Sequence, residues 1–217
     1  MPFSTAVKAV RLRGEAMQSA VPVGQGGMAA VMGLNDEQAR QLCQFVVSKS
    51  GFSPLSPANF NCPGQIVISG SQKALDWMKT NLKAEEVFPD VKRLKIIHLQ
   101  VSAPFHCDMM KPAEDKMRDF LSEVQFTNAK FPIIQNYSAK AETSAEILKE
   151  NLIRQVTASV LWTQSMQYAL EQNWTKCIEC GTGKVLQGLL KKIDSERFQV
   201  FNTNSLEDIE NIEKSLK

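Results

Sequence analysis

GGMAAVMGLNDEQARQLCQFVVSKSGFSPLSPANFNCPGQIVISG, residues 26–70, carries the reading that decides the fold. Its apolar residues change period twice. Residues 28–33 form a short apolar run of strand length. Asn35 or Asp36 can cap a helix over 36–49, with Leu42, Val46 and Val47 on one face, and Gly51 stops it. Residues 56–61 and 64–70 then read as two strands joined at Cys62-Pro63-Gly64. Beyond the quoted stretch, Ser71 caps a second helix with Ala74, Leu75, Met78 and Leu82 inward, and 92–102 returns as a strand.

The order over 27–102 is therefore β-α-β-β-α-β, the ferredoxin-like, split-βαβ pattern. It reads as a compact subdomain inserted into something larger. On its N-terminal side, Phe3, Val7, Val10 and Met17 recur at helical spacing over 3–19. On its C-terminal side the pattern predicts helices at 108–124, 144–156, 159–171 and 185–193. Strands are expected at 131–137, 175–180 and 198–202, and a charged helix from Ser205. Strands alternating with helices argue for a parallel or mixed sheet with helices on its faces. The expected division is a large subdomain of residues 1–25 and 104–217, and a small one of residues 26–103.

Composition excludes several classes. Hydrophobic residues make up 43% and charged residues 22%, with a net charge of +2, too mild for a nucleic-acid platform. No apolar run is long enough to span a bilayer, and the first residues lack a secretory signal. Five scattered cysteines fit reduced thiols, so a cytoplasmic protein is expected. Cys177 and Cys180 form a C-x-x-C in a strand that would send the thiols to opposite faces, and no second pair exists. His98, His106 and Cys107 are poorly spaced for zinc. No metal or cofactor is expected.

Two residues invite chemistry. Arg13 has Ala9, Val10, Ala16 and Met17 as its helical neighbours, all apolar. A guanidinium there needs an anion: either a structural carboxylate, or water reached by snorkelling, or a ligand carboxylate held bidentately. Gly14, next to it, would admit another backbone closely. His106 in VSAPFHCDMM (101–110) sits where a strand gives way to a helix, the place where open α/β sheets bind ligands. It is either a boundary residue or a general base in need of a nucleophile and an orienting partner. Adjacent Cys107 is poorly placed to serve, and no G-x-S-x-G elbow occurs in the chain.

RLRGEAMQ, GGMAAVMGL, ANFNCPGQIVISG, VSAPFHCDMMKPAEDKM and ECGTGKVLQGL occur in that order. Together they resemble the malonyl-CoA:acyl carrier protein transacylases. The resemblance implies an α/β-hydrolase-like large subdomain with the ferredoxin-like one inserted. It implies ping-pong transfer of malonyl from coenzyme A to acyl carrier protein through an acyl-serine in fatty acid biosynthesis, by a monomer that binds neither nucleic acid nor membrane. The coenzyme A thioester is substrate, and no cofactor takes part. By the same resemblance His106 is the catalytic base, Arg13 pairs with the malonyl carboxylate, and Met17 lines the acyl pocket. Asn59 and Asn61 meet pantetheine or coenzyme A, and Lys92 and Arg93 the phosphates.

Three departures accompany the match. The family's serine elbow lies on a segment N-terminal to the part that resembles this chain, so little covalent catalysis is expected of these 217 residues alone. Leu161 stands where a polar residue often precedes the tryptophan, and Thr182 where proline is frequent. The same sequence therefore also admits a non-catalytic module that binds acyl carrier protein or coenzyme A. Thioester hydrolysis through Cys107 is a third reading.

Overall fold

The computed structural model describes residues 1–91 and 93–216; Lys92, a phosphate candidate, lies outside them. The elements are α1 (Phe3–Ser19), β1 (Gly26–Met32), α2 (Asp36–Ser50), β2 (Leu55–Cys62), β3 (Gln65–Ser71), α3 (Gln72–Asn81), α4 (Ala84–Val87) and β4 (Lys95–His98). A 3₁₀ turn at Asp108–Met110 follows, leading into α5 (Lys111–Ser122), β5 (Ile133–Ile134), β6 (Ala141–Glu142) and α6 (Ala145–Arg154). The chain ends with α7 (Trp162–Glu171), β7 (Lys176–Glu179), α8 (Val185–Ile193), β8 (Gln199–Asn202) and α9 (Leu206–Leu216). The architecture is mixed α/β.

The first four strands form one antiparallel sheet in the order β2-β3-β1-β4, with Ala29 opposite Ile68 on one side and His98 on the other. Local chemistry sets its helices. Asn35 accepts from the Gln38 amide at 2.8 Å while the Gln38 side chain accepts from the Asn35 amide at 3.0 Å, a reciprocal N-terminal cap. Gly51 ends α2 in the left-handed region at φ 72°. One sheet face buries Ala29, Val31 and Ile68 against Leu42, Cys43 and Val46 of α2 and Leu75 and Met78 of α3. The other face, with Met28, Ala58 and Val67, receives Phe105. That contact brings the turn before α5 onto the sheet.

A second core joins Ala9, Ala16 and Met17 of α1 to Met110, Ala113, Met117 and Leu121, with Ile153 and Val156 closing it. β7 and β8 pair in parallel across α8, and α7 leans on β2, where the Thr163 hydroxyl donates to the Phe60 carbonyl at 3.0 Å.

Several expected boundaries shift. The strand at 92–102 shortens to β4. The strand at 131–137 shrinks to the two residues of β5. Pro132 offers no ladder N–H just before it, and the Ser138 and Ala139 amides fold back on the Gln135 carbonyl just after. The helix expected from 159 begins at Trp162, because Val160 forms a single parallel bridge with Asn59 of β2. Phe60 donates to Val160 and Val160 to Ala58, at 2.9 and 2.8 Å. The helix expected at 108–124 opens with the 3₁₀ turn, and the short α4 has no counterpart in the sequence reading. A Cβ added at Gly14 would meet nothing, so no backbone approaches there. The close approach is at Gly26, where an added Cβ would collide with Pro104.

Candidate active site

His106 lies on the turn that crosses the sheet between β4 and α5. Its backbone is left-handed at φ 60°, unusual for a residue with a Cβ. Its Nδ1 is 3.0 Å from the Gln155 carbonyl and 3.1 Å from the Ala158 carbonyl. Two acceptors can be satisfied only by an N–H, so the proton sits on Nδ1. Nε2 then carries the lone pair, and it has no hydrogen-bond partner among the described residues. Burial holds the imidazole below its usual pKa; the Gln155 and Ala158 carbonyls oppose that and the Arg13 charge reinforces it. The ring is thus neutral, in one tautomer, and basic at a defined nitrogen.

Arg13 extends from α1 one turn before Met17. It is half-buried, and burial lowers its pKa. Among the described residues it forms no ion pair and no hydrogen bond. The described residues thus offer this arginine no structural carboxylate. A desolvated, unpaired guanidinium is a costly arrangement that an anionic ligand would relieve.

The two groups share a cleft of about 490 Å³, lined by Arg13, Met17, Met28, Asn59, Phe105 and His106 among others. Arg13 also borders a smaller, apolar cavity of about 220 Å³ with Met117, Leu121 and Leu152. A larger cleft of about 590 Å³ lies at the N-terminus of α2, beside Asn35 and Gly64, and holds no such pair.

The remaining sequence candidates divide. Met17 is buried and Asn59 half-buried, and both line the His106 cleft. Asn61 sits on a bulge of β2, between the Phe60 and Cys62 pairings, and does not line it. Arg93 is exposed, and its carbonyl packs close to Gly33. Cys107 is 1% exposed, its thiol donates to the Pro104 carbonyl at 3.2 Å, and burial raises its pKa. That is an inert thiol, which removes the hydrolysis reading. None of the described residues lining the cleft is Ser, Thr or Cys.

Sequence reading missed the orienting partners of His106. They are main-chain carbonyls on the segment after α6, and a carbonyl has no residue signature. Leu161 packs with Ala39, Phe60 and Ile66 instead.

Among the described residues, no helix is long and apolar enough to cross a membrane. No family model matches the chain. A malonyl CoA-acyl carrier protein transacylase of Staphylococcus aureus (strain COL) is 37% identical over 212 residues, 96% of this chain. That of Bacillus subtilis (strain 168) is 37% identical over 217 residues, the whole chain. This chain spans 65% of the length of either relative. The solved transacylase of Coxiella burnetii superposes with a TM-score of 0.86 at 32% identity, covering all of this chain and 65% of that one. A malonyl-transacylase solved in complex with its type II PKS acyl-carrier protein gives 0.86 at 34% identity, covering 99% and 66%.

Proposed function

Because this chain is a relative of the malonyl CoA-acyl carrier protein transacylases, we propose that it carries the base and the carboxylate-recognising half of a malonyl transfer site. The proposed reaction moves malonyl from coenzyme A to acyl carrier protein by way of an acyl-serine. The observation that supports it is a single-tautomer imidazole and an unpaired guanidinium opening on one cleft. His106 Nε2 accepts the proton of the attacking hydroxyl and returns it to the departing thiolate. Arg13 holds the free carboxylate of malonyl through two parallel N–H···O bonds, which an acetyl group cannot form. Met17 forms part of the acyl wall. Asn59, at the cleft, and Asn61, further along β2, contact the pantetheine arm. The hydroxyl that carries the acyl group belongs, by the family resemblance, to an N-terminal segment of the relatives.

The finer architecture follows the same reading. Residues 26–103 form a ferredoxin-like small subdomain, and 1–25 with 104–217 form part of an α/β-hydrolase-like large one. The βαββαβ order and the strand order support this reading. A monomeric, cytoplasmic protein acting on malonyl-CoA and acyl carrier protein completes the proposal.

Binding of malonyl-CoA and acetyl-CoA to the chain tests it by calorimetry, with the His106 ring signals read by NMR. Malonyl-CoA is expected to bind about tenfold or more tighter than acetyl-CoA, and Arg13→Ala to erase the difference, the scale of a hydrogen bond to a charged group. Equal binding of the two thioesters, with His106 unmoved, would overturn the proposal. Intact mass after mixing with malonyl-CoA separates the catalytic part from the binding part. No adduct is expected on the chain alone, and one is expected when a serine-bearing N-terminal segment of a relative is supplied.

A further inference from the structure

The carbonyls that hold His106 lie on residues 155–158, a segment outside any helix or strand. Something must fix it, because a tautomer is only as well defined as the acceptors that select it. The structure shows a buried carboxylate in that place. Glu114 on α5 is 7% exposed, the only ionisable side chain among the buried polar and charged residues described. Its Oε2 accepts the Thr157 hydroxyl at 2.6 Å. Its Oε1 accepts from Lys111 at 2.7 Å and from Arg118 at 3.4 Å. Arg118 continues to Glu150 at 3.0 Å, and Glu150 accepts from Arg154 Nε at 2.7 Å. Arg154 immediately precedes Gln155. The segment is therefore held on both flanks: at Arg154 through α6, and at Thr157 through α5.

The three cations and Thr157 converge on two carboxylates, of which only Glu114 is buried. Burial raises its pKa, but Lys111, Thr157 and Arg118 outweigh that and hold it below the usual carboxylate range. It is therefore ionised, and Thr157 donates to a full charge, a stronger bond than one between neutral groups. Beside Glu114 on the same buried side of α5, Ala113 and Met117 pack in one core with Ala9, Ala16 and Met17 of α1, the helix that carries Arg13. One helix thus braces both halves of the site.

We infer that Glu114 is a positioning residue: through Thr157 it fixes the 155–158 segment so that the Gln155 and Ala158 carbonyls keep the proton of His106 on Nδ1. This deepens the reading of His106 as the base and rests on it. A merely structural ion pair would lower stability when broken and leave the tautomer alone.

The experiment is ¹⁵N-histidine NMR of the full chain without substrate, so its outcome is independent of the thioester-binding test. The chain has two histidines, and His98 on β4 serves as the internal control. The unsubstituted chain is expected to show His106 protonated on Nδ1 alone. A dominant Nε2–H form there would overturn the inference without any variant. Thr157→Val, which removes the hydroxyl and keeps the shape, is expected to raise the Nε2–H fraction and speed Nδ1–H exchange about tenfold. Thr157→Ser is expected to restore both. Glu114→Gln, which keeps an acceptor but removes the charge, is expected to fall between, and it decides the matter should Thr157→Val not fold. Folded variants with His98 unchanged and His106 identical to the unsubstituted chain would sink the inference.

Discussion

A histidine with positive φ pays a conformational cost that asparagine pays less. His106→Asn is therefore expected to keep the melting temperature within a few degrees, while His106→Ala gains no such relief and leaves the Gln155 and Ala158 carbonyls without their donor, a loss of about 1 kcal/mol. Neither leaves an imidazole in the cleft. The lowered pKa of His106 also sets a sign. The unfolded chain binds the proton at its ordinary value of 6.5, and the folded chain only lower. Stability from this group is thus full above that value and is lost as pH falls through the folded pKa. Urea unfolding at a series of pH values is expected to show this decline from pH 6.5 downward, flattened in His106→Asn. Arg13 behaves in the opposite sense to an ordinary buried charge. Among the described residues it has no carboxylate to abandon, so Arg13→Met is expected to be neutral or stabilising by about 1 kcal/mol, read from urea midpoints, because removing an unpaired desolvated charge leaves nothing uncompensated. A large loss of stability would show that the guanidinium has a partner after all.

At the scale of elements, His106 is placed by close packing between a strand and a turn. Gly26 of β1 lies under Pro104, two residues before His106. Gly26→Ala is expected to cost about 1–3 kcal/mol by overpacking and to shift the His106 resonances, which a heat-denaturation scan and an NMR spectrum would check together. The cap on α2 is remote from the cleft. Asn35→Ala is expected to cost about 1 kcal/mol and leave those resonances where they are. The contrast separates elements that support the fold from elements that aim the side chain. Element type was legible along most of the chain: the helical period of 36–49 and 71–82, the short apolar runs between turn residues, and a cap at Asn35 or Asp36 all stand in residues 26–82, although the bulges of β2 do not. The bridge at Val160 was not legible. Its pairing partner is the edge of β2, about a hundred residues away, and no local period records a single bridge.

Across the whole molecule, Phe3, Val7 and Val10 lie on one stripe of α1 and are 85%, 51% and 72% exposed. A contiguous apolar stripe on an isolated chain favours association. Phe3→Glu with Val10→Glu is expected to raise solubility and lower dye binding to apolar surface, with little change in melting temperature, since neither side chain is packed. The site itself is a whole-molecule property. Arg13 was marked as anomalous by its apolar neighbours on α1, and His106 by its place at a strand end; the family resemblance supplied their partnership. Residue types, spacing and period determined the elements, the βαββαβ order and the two candidate groups, because those depend on local sterics and on which side chains avoid water. The shared cleft, the want of a partner for Arg13 among the described residues, the tautomer of His106 and the brace from Glu114 were decided by tertiary structure alone. Each depends on main-chain carbonyls, or on distances between segments far apart in the chain, and neither has a signature in residue type.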